Sequence, residues 1–400
     1  MPSLWTPDLA ASRCRKDDTR RKTVIWPYYD AQVQNAHQSA VAIVLVNWNG
    51  WKDSVECIDS VLAHGYPNFH IFVVDNDSGD QSVERIAEWC EAPQAQPTWR
   101  SHEGVDRLTG HAVATSIACR VTDRPENVLP PAPAGCRLTV IRSGSNPGFA
   151  GGCNVAIKAA GLDDFEHFWF LNNDTVVHRD ALDALVRRTT RQPVADMVGS
   201  TVRYYESPGT VQAMAGARLN PATAASGHIG EGASVQEIPS DAAAVERELT
   251  YIFGASMLVS SRFIREVGLM QEDYFLYYEE IDWAMRGRSS RFNVGYAPAS
   301  HVFHKSGASS SKVKPLFTSN LFYRNRIRFA TRFLPHALGA IQRSMAWAVV
   351  RYTLKGHWAT ARLVASILLE SRRISSQVNA QQATPGMIRD AVAMQPANNK

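Results

Sequence analysis

Short, continuous apolar runs alternate with helix-like segments over much of the chain. The run VAIVLV at 41–46 is rich in β-branched residues and too short for a buried helix, so it predicts a strand buried on both faces. Apolar residues at helical spacing follow this run, and further strands are predicted at 71–74, 138–141 and 168–171. Because strand and helix alternate in this way in sheets with helices on both faces, the sequence predicts an α/β fold with a parallel sheet.

Polar residues stand directly after three of these predicted strands. They are NWNG at 47–50, DNDSGD at 75–80 and NND at 172–174. Right-handed crossovers bring the carboxyl ends of parallel strands to one edge of the sheet, where open α/β folds bind ligands. One carboxylate, Asp174, flanked by amides suits a divalent cation that keeps substrate phosphates among its ligands. Asn and Asp are also common in turns, so the motif alone leaves a simple turn open.

Three carboxylates open a later predicted helix. Glu279, Glu280 and Asp282 lie in the stretch YFLYYEEIDWAMRGR at 274–288. Acidic residues interact favourably with the helix dipole at its N-terminus, so capping alone can explain them. Three carboxylates among aromatic residues exceed that need, however. A carboxylate that Tyr277 or Trp283 desolvates would have the raised pKa of a general base.

Basic residues are concentrated in the C-terminal part of the chain. Twelve Lys and Arg stand at 312–373 against one acid, Glu370, although the net charge of all 400 residues is only +4. Apolar residues recur there at helical spacing, with a break at 355–356, and predict two amphipathic helices over 331–375. Such a pair can lie on an anionic membrane surface, or it can pack its apolar face on the rest of the fold. Interleaving of basic and apolar residues argues against a nucleic-acid partner.

The remaining segments set the expected limits of the folded part. Residues 1–40 lack periodicity and predict a flexible basic leader, and the Pro-rich stretch 91–136 predicts an irregular insertion. The polar end at 376–400 predicts a disordered tail. Neither a secretion signal nor a transmembrane helix is expected, because no apolar run approaches 18 uncharged residues.

Taken in order, the motifs resemble the inverting family 2 glycosyltransferases of GT-A fold, and most closely their bacterial rhamnosyltransferase-like branch. The pieces that carry the resemblance are VNWNG at 46–50, VVDNDS at 73–78, SNPGFAGGCN at 145–154, FLNND at 170–174, FGASMLV at 253–259, YYEEIDWAMR at 277–286, HKSGAS at 304–309 and FYRNR at 322–326. The resemblance implies a GT-A domain at 41–330 with a mixed, mainly parallel sheet flanked by helices. The helices at 331–375 would be a C-terminal extension.

The resemblance also implies roles for individual residues. The expected base is Glu280, and Glu279 and Asp282 are its alternatives. Asp174 and His304 would hold Mg²⁺ or Mn²⁺ on the donor diphosphate. The donor nucleotide would contact Asn47, Asn49, Asp75, Asp77, Phe149, Gly151, Gly152, Asn154, Asn172, Arg324 and Arg326.

The implied function is metal-dependent transfer of a sugar, with inversion, from a dTDP- or UDP-sugar to a cell-surface polysaccharide or lipid-linked glycan. Rhamnose is one candidate sugar, and the enzyme is expected in the cytoplasm, peripheral on the inner face of the cytoplasmic membrane. A nucleotidyltransferase on a related fold is one alternative, although such enzymes carry a Gly-rich, Lys/Arg-containing loop where this chain has NWNGW. A non-catalytic glycan- or nucleotide-binding module is another, and the carboxylates of Asp174, Glu279 and Glu280 argue against it.

Overall fold

The computed structural model describes residues 39–92, 105, 109, 116–306 and 315–383 of the chain. All but the last two residues of the predicted leader at 1–40 lie outside this part. So do most of the first half of the predicted insertion and residues 384–400 of the predicted tail.

Strands and helices alternate in the described part, as the sequence predicts. The strands are β1 Val41–Asn47, β2 Phe69–Asp75, β3 Cys119–Asp123, β4 Leu138–Arg142, β5 His167–Asn172, β6 Thr175–Val177, β7 Met197–Tyr204, β8 Val211–Met214, β9 Gly216–Asn220, β10 Ala225–His228, β11 Tyr251–Ile252, β12 Ser256–Ser260 and β13 Val294–His304. The α-helices are α1 Trp51–Leu62, α2 Ser82–Glu91, α3 Gly148–Ala160, α4 Ala181–Thr190, α5 Ala243–Glu248, α6 Ser261–Val267, α7 Glu279–Ser289, α8 Pro315–Phe333, α9 Leu338–Leu354 and α10 Trp358–Ala383.

Ten of these strands form one mixed sheet in the order β3-β4-β2-β1-β5-β12-β7-β13-β6, with β8 paired to β7. The five strands from β3 to β5 are parallel, and β12 runs antiparallel between β5 and β7. Strand β13 is parallel to β7, and β6 is antiparallel to β13. A small antiparallel sheet, β10-β9-β11, lies beside it. The expected mixed, mainly parallel sheet with flanking helices is therefore confirmed.

The central strands are buried on both faces, which explains their continuous apolar sequence. Val44 of β1 and Phe170 of β5 belong to a core cluster that includes Ala156 of α3. Ile43 belongs to a second cluster, which includes Ile58 of α1. Because neighbouring residues of a strand point to opposite faces, every apolar position of β1 enters one core or the other.

The second half of the domain differs from the prediction. The stretch 250–259 is two strands, β11 and β12, which belong to different sheets. The apolar residues at 294–297 and 302–303 predict two short strands, but they form one strand, β13, with a bulge between Ala297 and His301. The sequence of 206–247, rich in small residues, predicts a loop. It contains three strands and α5, because its Gly- and Ala-rich strands are too short to show a period.

The C-terminal helices pack on the domain and on one another. The predicted break at 355–356 falls between α9 and α10. Helix α8 crosses the expected boundary at 330, and α10 continues to Ala383, eight residues into the expected tail. Ile341 of α9 and Val364 of α10 are fully buried and share a core cluster with Phe329 of α8. Within the described residues, no helix combines the length and hydropathy that crossing a membrane requires.

Candidate active site

The carboxyl ends of several strands meet at one edge of the large sheet. Asn47, Asp75 and Asn172 end β1, β2 and β5, and Asn47 lies directly beside Asp75 in register. Strands β7 and β5 both run antiparallel to β12, and β13 is parallel to β7, so His304 at the end of β13 reaches the same edge. The fold thus brings together polar residues from four separate motifs.

Asp75 is held firmly at this edge. Its Oδ1 accepts hydrogen bonds from Asn47 Nδ2 at 2.7 Å and from the Ser78 hydroxyl at 2.6 Å, and its Oδ2 accepts from the Ser78 backbone N–H at 3.0 Å. Asn47 in turn accepts from the Ser54 hydroxyl, and Asn49 accepts from the Gly79 N–H at 2.8 Å. The two asparagines therefore fix the walls around Asp75.

A cavity of about 380 Å³ opens beside Asp75. Asp77, Arg124, Arg142 and Ser143 line it together with Asp75, and its volume lies within the range usual for ligand pockets. Arg142 pairs with exposed Glu84 at 3.1 Å, and surface ion pairs of this kind contribute little, so its guanidinium can exchange that partner for a ligand.

A second cavity, of about 400 Å³, lies between α4, α5 and β13. It contains none of the residues predicted for the site. Arg188 and Glu246, which line it, already form a bidentate ion pair with one another.

The glycine-rich segment begins helix α3 and packs against protein. A Cβ on Gly148 would lie closer than 3.0 Å to three backbone atoms of Phe275, and one on Gly152 would meet both methyl groups of Val46. Gly151 is crowded in the same way by the ring of Pro147. Close packing therefore requires these glycines. The expected contact of Gly151 and Gly152 with the nucleotide stays a prediction.

Two neighbouring residues of the same segment are also engaged by protein. The amide of Asn154 bonds with Met270 and Glu272 through both of its polar atoms, and Asn154 is buried. Phe149 is half-buried, and its backbone N–H donates to the Phe275 carbonyl at 2.8 Å. Asn154 therefore ties α3 to residues 270 and 272, and its expected contact with the nucleotide stays a prediction.

Asp174 and His304 form a buried pair at the ends of β5 and β13. His304 Nε2 lies 3.2 Å from Asp174 Oδ1 and 3.4 Å from Asn172 Nδ2. Its Nδ1 lies 2.9 Å from Gln212 Oε1, which is an acceptor, so we assign the ring proton to Nδ1. In the neutral ring, Nε2 then points a lone pair at the Asp174 carboxylate. Two acceptors so close together fit a shared cation or a protonated imidazole.

The Asp174 carboxylate is kept anionic by its surroundings. Burial alone would raise its pKa, but His304 and the nearby Lys305 ammonium outweigh burial and lower the pKa below the ordinary value. Lys305 is fixed by Asp53 at 2.7 Å and Glu56 at 2.6 Å, and its backbone N–H donates to the Asp174 carbonyl. The Asp174 carboxylate therefore carries the negative charge that a cation needs.

Glu279 and Glu280 open helix α7 with unsatisfied oxygens. The Oε2 atom of each is enclosed and has no hydrogen-bond partner within the described residues. Burial raises the pKa of Glu279 well above the ordinary value, and the charge of Glu280 raises it further. Although Glu280 is half-buried as a residue, enclosure of its carboxylate raises its pKa to about 7. A carboxyl group with this pKa is half ionised near neutral pH, as a general base requires.

The turn at 253–255 lies next to both the Asp174–His304 pair and Glu280. The Ala255 carbonyl accepts a hydrogen bond from the Asn172 N–H at 3.1 Å, and the rings of Phe253 and His304 are 5.8 Å apart. A Cβ on Gly254 would lie 4.0 Å from Glu280 Cγ. Three residues span at most about 10 Å, so Glu280 and the Asp174–His304 pair adjoin one short stretch of backbone.

The loop that leads into α7 is strained and clamped. Phe275, Tyr277 and Tyr278 have φ angles of 63, 70 and 78°, which side chains rarely adopt. Asn325 of α8 donates from its amide to the carbonyl oxygens of three loop residues, Tyr274, Leu276 and Tyr277, at 2.8 to 3.0 Å. Strain of this kind persists only where surrounding contacts enforce it, so α8 positions the start of α7.

Asp282 is bonded by protein groups on both carboxylate oxygens. It accepts hydrogen bonds from the Tyr274 hydroxyl at 2.9 Å and Arg286 Nε at 2.7 Å, and Arg332 lies 3.4 Å away. These contacts favour Glu280 over Asp282 as the base, and the choice between them stays a prediction. Asp282 anchors α7 to the helices beside it.

Arg324 and Arg326 are also engaged elsewhere. Arg326 donates to the Thr223 carbonyl and to the Ser344 hydroxyl, and Arg324 pairs with Glu370 of α10 at 2.7 Å. Both side chains thus hold α8 to its neighbours, and their expected contact with the diphosphate stays a prediction.

Comparisons with known proteins indicate the class of enzyme. Residues 42–113 and 121–231, a little under half of the chain, match the sequence model of Glycosyl transferase family 2. This part of the chain is therefore similar to the family 2 glycosyltransferases. The protein is a glycosyltransferase, and its mixed, mainly parallel sheet is GT-A-like.

Individual relatives of this glycosyltransferase are distant. The low-salt glycan biosynthesis hexosyltransferase Agl10 of Haloferax volcanii is 23% identical over 227 residues, which are 53% of this chain and 68% of Agl10. S. aureus TarS (residues 1–349) is 13% identical, with 86% of this chain and 92% of that chain covered and a TM-score of 0.44. The mannosyltransferase PcManGT of Pyrobaculum calidifontis, solved with GDP-Man and Mn²⁺, is 13% identical, with 92% and 90% covered and a TM-score of 0.46. With TM-scores below 0.5, both structures resemble the chain only loosely.

The glycosyltransferase domain offers few ligands of its own to a metal ion. No cluster of three or more His, Cys, Asp or Glu side chains that could hold one occurs among the described residues. Mg²⁺ and related ions are usually bound by one or two carboxylates together with substrate phosphates. The facing acceptors of Asp174 and His304, with the Asn172 amide beside them, fit such an ion when the donor diphosphate completes its shell.

Sequence reasoning missed several residues of the glycosyltransferase site. Phe253, Lys305 and Asn325 lie inside recognised motifs, but only their neighbours were assigned roles. Gln212 had no signal, because it lies in a segment that was predicted as loop. Arg142 could have been found from its place at the end of a predicted strand.

Proposed function

We propose that the protein is a metal-dependent, inverting glycosyltransferase that transfers a hexose from a UDP- or dTDP-sugar to a hydroxyl group of a glycan. One observation carries the proposal. Glu280, which has an enclosed and unpartnered carboxylate oxygen, adjoins the same three-residue turn as the Asp174–His304 pair.

Glu280 is the proposed base. Two anionic carboxylates repel one another in an enclosed site, so the charge of Glu280 adds to burial in raising the pKa of Glu279. Glu280 accepts the proton of the acceptor hydroxyl while the hydroxyl oxygen bonds to the anomeric carbon. The bond from that carbon to the diphosphate breaks, and the nucleoside diphosphate leaves with the electron pair. Attack from the face opposite the leaving group inverts the configuration.

The donor side uses the strand ends. Asp75, fixed by Asn47 and Ser78, accepts a hydrogen bond from the pyrimidine ring, and the adjoining cavity holds the nucleoside with Arg142 near its polar groups. Asp174 and His304 would hold the divalent ion. When bound, that ion supplies positive charge to the departing diphosphate.

The acceptor is proposed to be a cell-surface polysaccharide or a lipid-linked glycan, reached at the inner face of the cytoplasmic membrane. The motif resemblance to the rhamnosyltransferase-like branch supports this acceptor class and makes dTDP-rhamnose one donor to test. Agl10 is named as a hexosyltransferase of glycan biosynthesis, which supports a hexose donor and a glycan acceptor.

A panel of UDP- and dTDP-sugars with Mn²⁺ tests the proposal. We expect one donor to raise the melting temperature of the full chain and to be consumed, and a chelator to abolish both effects. Glu280→Gln should keep the donor-dependent shift and lose transfer. The proposal is wrong if no nucleotide sugar binds, if Glu280→Gln transfers at the wild-type rate, or if NMR of the product shows retained configuration.

A further inference from the structure

Helix α9 carries large apolar side chains on two opposite faces. Ile341 and Met345 are fully buried on its inner face. On the opposite face, Trp347, Val350 and Leu354 are 73%, 46% and 82% exposed. Spacings of three and four residues put these three side chains in one row. A surface helix normally has a polar outer face, so this row indicates a second partner for α9.

The turn into α10 extends the row. Trp358, the first residue of α10, is 60% exposed and stands four residues after Leu354. Basic side chains that are exposed flank both helices here. The tip surface, as we name it, consists of Trp347, Val350, Leu354 and Trp358 with Arg343, Arg351, Lys355 and Arg362.

The charge of the tip surface is uncompensated. The sequence contains no Asp or Glu between Asp282 and Glu370. Among the described residues, the ion pairs of the three C-terminal helices are those of Arg324 and Arg332, and neither belongs to the tip surface. The surface therefore suits a partner that has an apolar interior covered by an anionic surface layer.

We infer that the tip surface docks on an anionic phospholipid bilayer. Tryptophan prefers the boundary between headgroups and acyl chains, and arginine and lysine extend their stems over apolar surface while their charged groups contact phosphates. A second copy of the chain fits less well, because docking through the same surface would bring basic residues of both copies face to face. The apolar row is too short to cross a bilayer, so the two helices lie along the headgroup region of the membrane.

Docking there relates the bilayer to the active site. Helix α8, against which α9 and α10 pack, also clamps the loop before Glu279 through Asn325. The inference rests on the proposed function in one respect, because a lipid-linked acceptor would lie at such a surface. Binding to vesicles is measured without sugar transfer, so the membrane inference and the proposed function can fail separately.

The experiment is flotation of the full chain with vesicles of phosphatidylcholine and phosphatidylglycerol in a roughly 2:1 ratio. We expect binding that weakens with salt and is poorer on phosphatidylcholine alone. The triple variant Trp347→Gln, Leu354→Gln, Trp358→Gln should lose roughly tenfold or more in affinity. The double variant Arg351→Gln, Lys355→Gln should lose the preference for anionic vesicles. Val194→Gln and Arg179→Gln change exposed apolar and basic residues elsewhere and should bind as wild type.

Unchanged donor-dependent melting shifts would show that the variants fold. The inference is overturned if the wild type ignores anionic vesicles or if the triple variant binds them equally well. It is also overturned if light scattering shows a dimer that the triple variant converts to a monomer without any vesicle binding. Failure of every nucleotide sugar would contradict the proposed function and leave the vesicle result standing.

Discussion

At the start of α7, three carboxylates within four residues have different surroundings. Glu279 and Glu280 each keep one oxygen enclosed and unpartnered, whereas the Asp282 carboxylate is bonded by Tyr274 and Arg286. Enclosure without a partner disfavours the charged form, and bonding to a guanidinium favours it. All three side chains are carboxylic acids, so only their surroundings distinguish Glu279 and Glu280 from Asp282.

The rate of transfer should follow the ionisation of Glu280. Because the base acts in its deprotonated form and its pKa is raised to about 7, kcat/KM should rise with pH and level off above that value. The check is a pH profile with saturating metal ion. Glu280→Gln should lower the rate by about 10²–10⁴-fold and remove the rising limb. A profile that stays flat from pH 5 to pH 8 would contradict the assignment.

Gln212 should tune the metal site through His304. Its Oε1 holds the Nδ1 proton of His304 and so keeps Nε2 available. Gln212→Leu should lower the apparent affinity for Mn²⁺ by about 10–100-fold in the presence of nucleotide, because the ring loses its fixed tautomer and orientation. Titration of Mn²⁺ by thermal shift measures this. Gln236→Leu, on the exposed surface, is the control and should change nothing.

At the level of secondary structure, the position of helix α3 depends on close contact between its first residue and the backbone of another segment. Gly148 starts the helix with φ of 76° and meets the backbone of Phe275, so α3 supports the strained loop before α7. The sequence identifies the glycine-rich motif but does not indicate the protein segment that packs against it. The partner of Gly148 is a loop more than a hundred residues later in the chain.

Gly148→Ala should test this contact against a matched control. Gly144 has nearly the same φ, 73°, but a Cβ there meets nothing within 4 Å. Gly144→Ala should thus lose about 1–2 kcal/mol of unfolding free energy from the backbone alone. Gly148→Ala should lose several kcal/mol, because the backbone of Phe275 must also move. Urea denaturation of both variants gives the comparison, and equal losses would mean that the contact does not matter.

The predictability of the elements followed the strength of their local signals. Strands such as β1, buried on both faces, have continuous apolar sequences and were found within a residue or two. Strands β8 to β10 are short and rich in small residues, and β11 and β12 form one apolar stretch that only tertiary packing divides. The site shows the same limit. Asp174 and Glu280 stand in strong motifs, whereas the roles of Gln212 and Arg326 depend on partners distant in sequence.

For the molecule as a whole, α9 and α10 belong to the same packed body as the catalytic edge. Ile341, Met345, Val364 and Ile367 are fully buried in the cluster that contains Phe329. Each such side chain stabilises the fold by about 1.5–3 kcal/mol through burial. A domain boundary at residue 330 therefore follows the change in sequence pattern, but it lies within helix α8.

Deletion of residues 335–400 should destabilise the remaining protein. The face of α8 that holds Phe329 would be exposed, and Asn325, which clamps the loop before α7, would lose its support. We expect a lower melting temperature and weaker donor binding, measured by scanning calorimetry and by titration with nucleotide. If the shortened chain is as stable as the full chain and binds donor equally well, the helices at 331–375 form an independent unit as the sequence suggested.

Strand β12 runs against its neighbours, so its amino end points to the catalytic edge and its carboxyl end passes directly into α6 on the far side. The turn before Ser256 therefore contacts two parts of this edge, the Asn172 backbone and Glu280. An extra residue in this turn should displace the backbone between those contacts, whereas a residue added after Ser260 should disturb only the packing of α6. Insertions at the two ends of one short strand are thus expected to have very different effects.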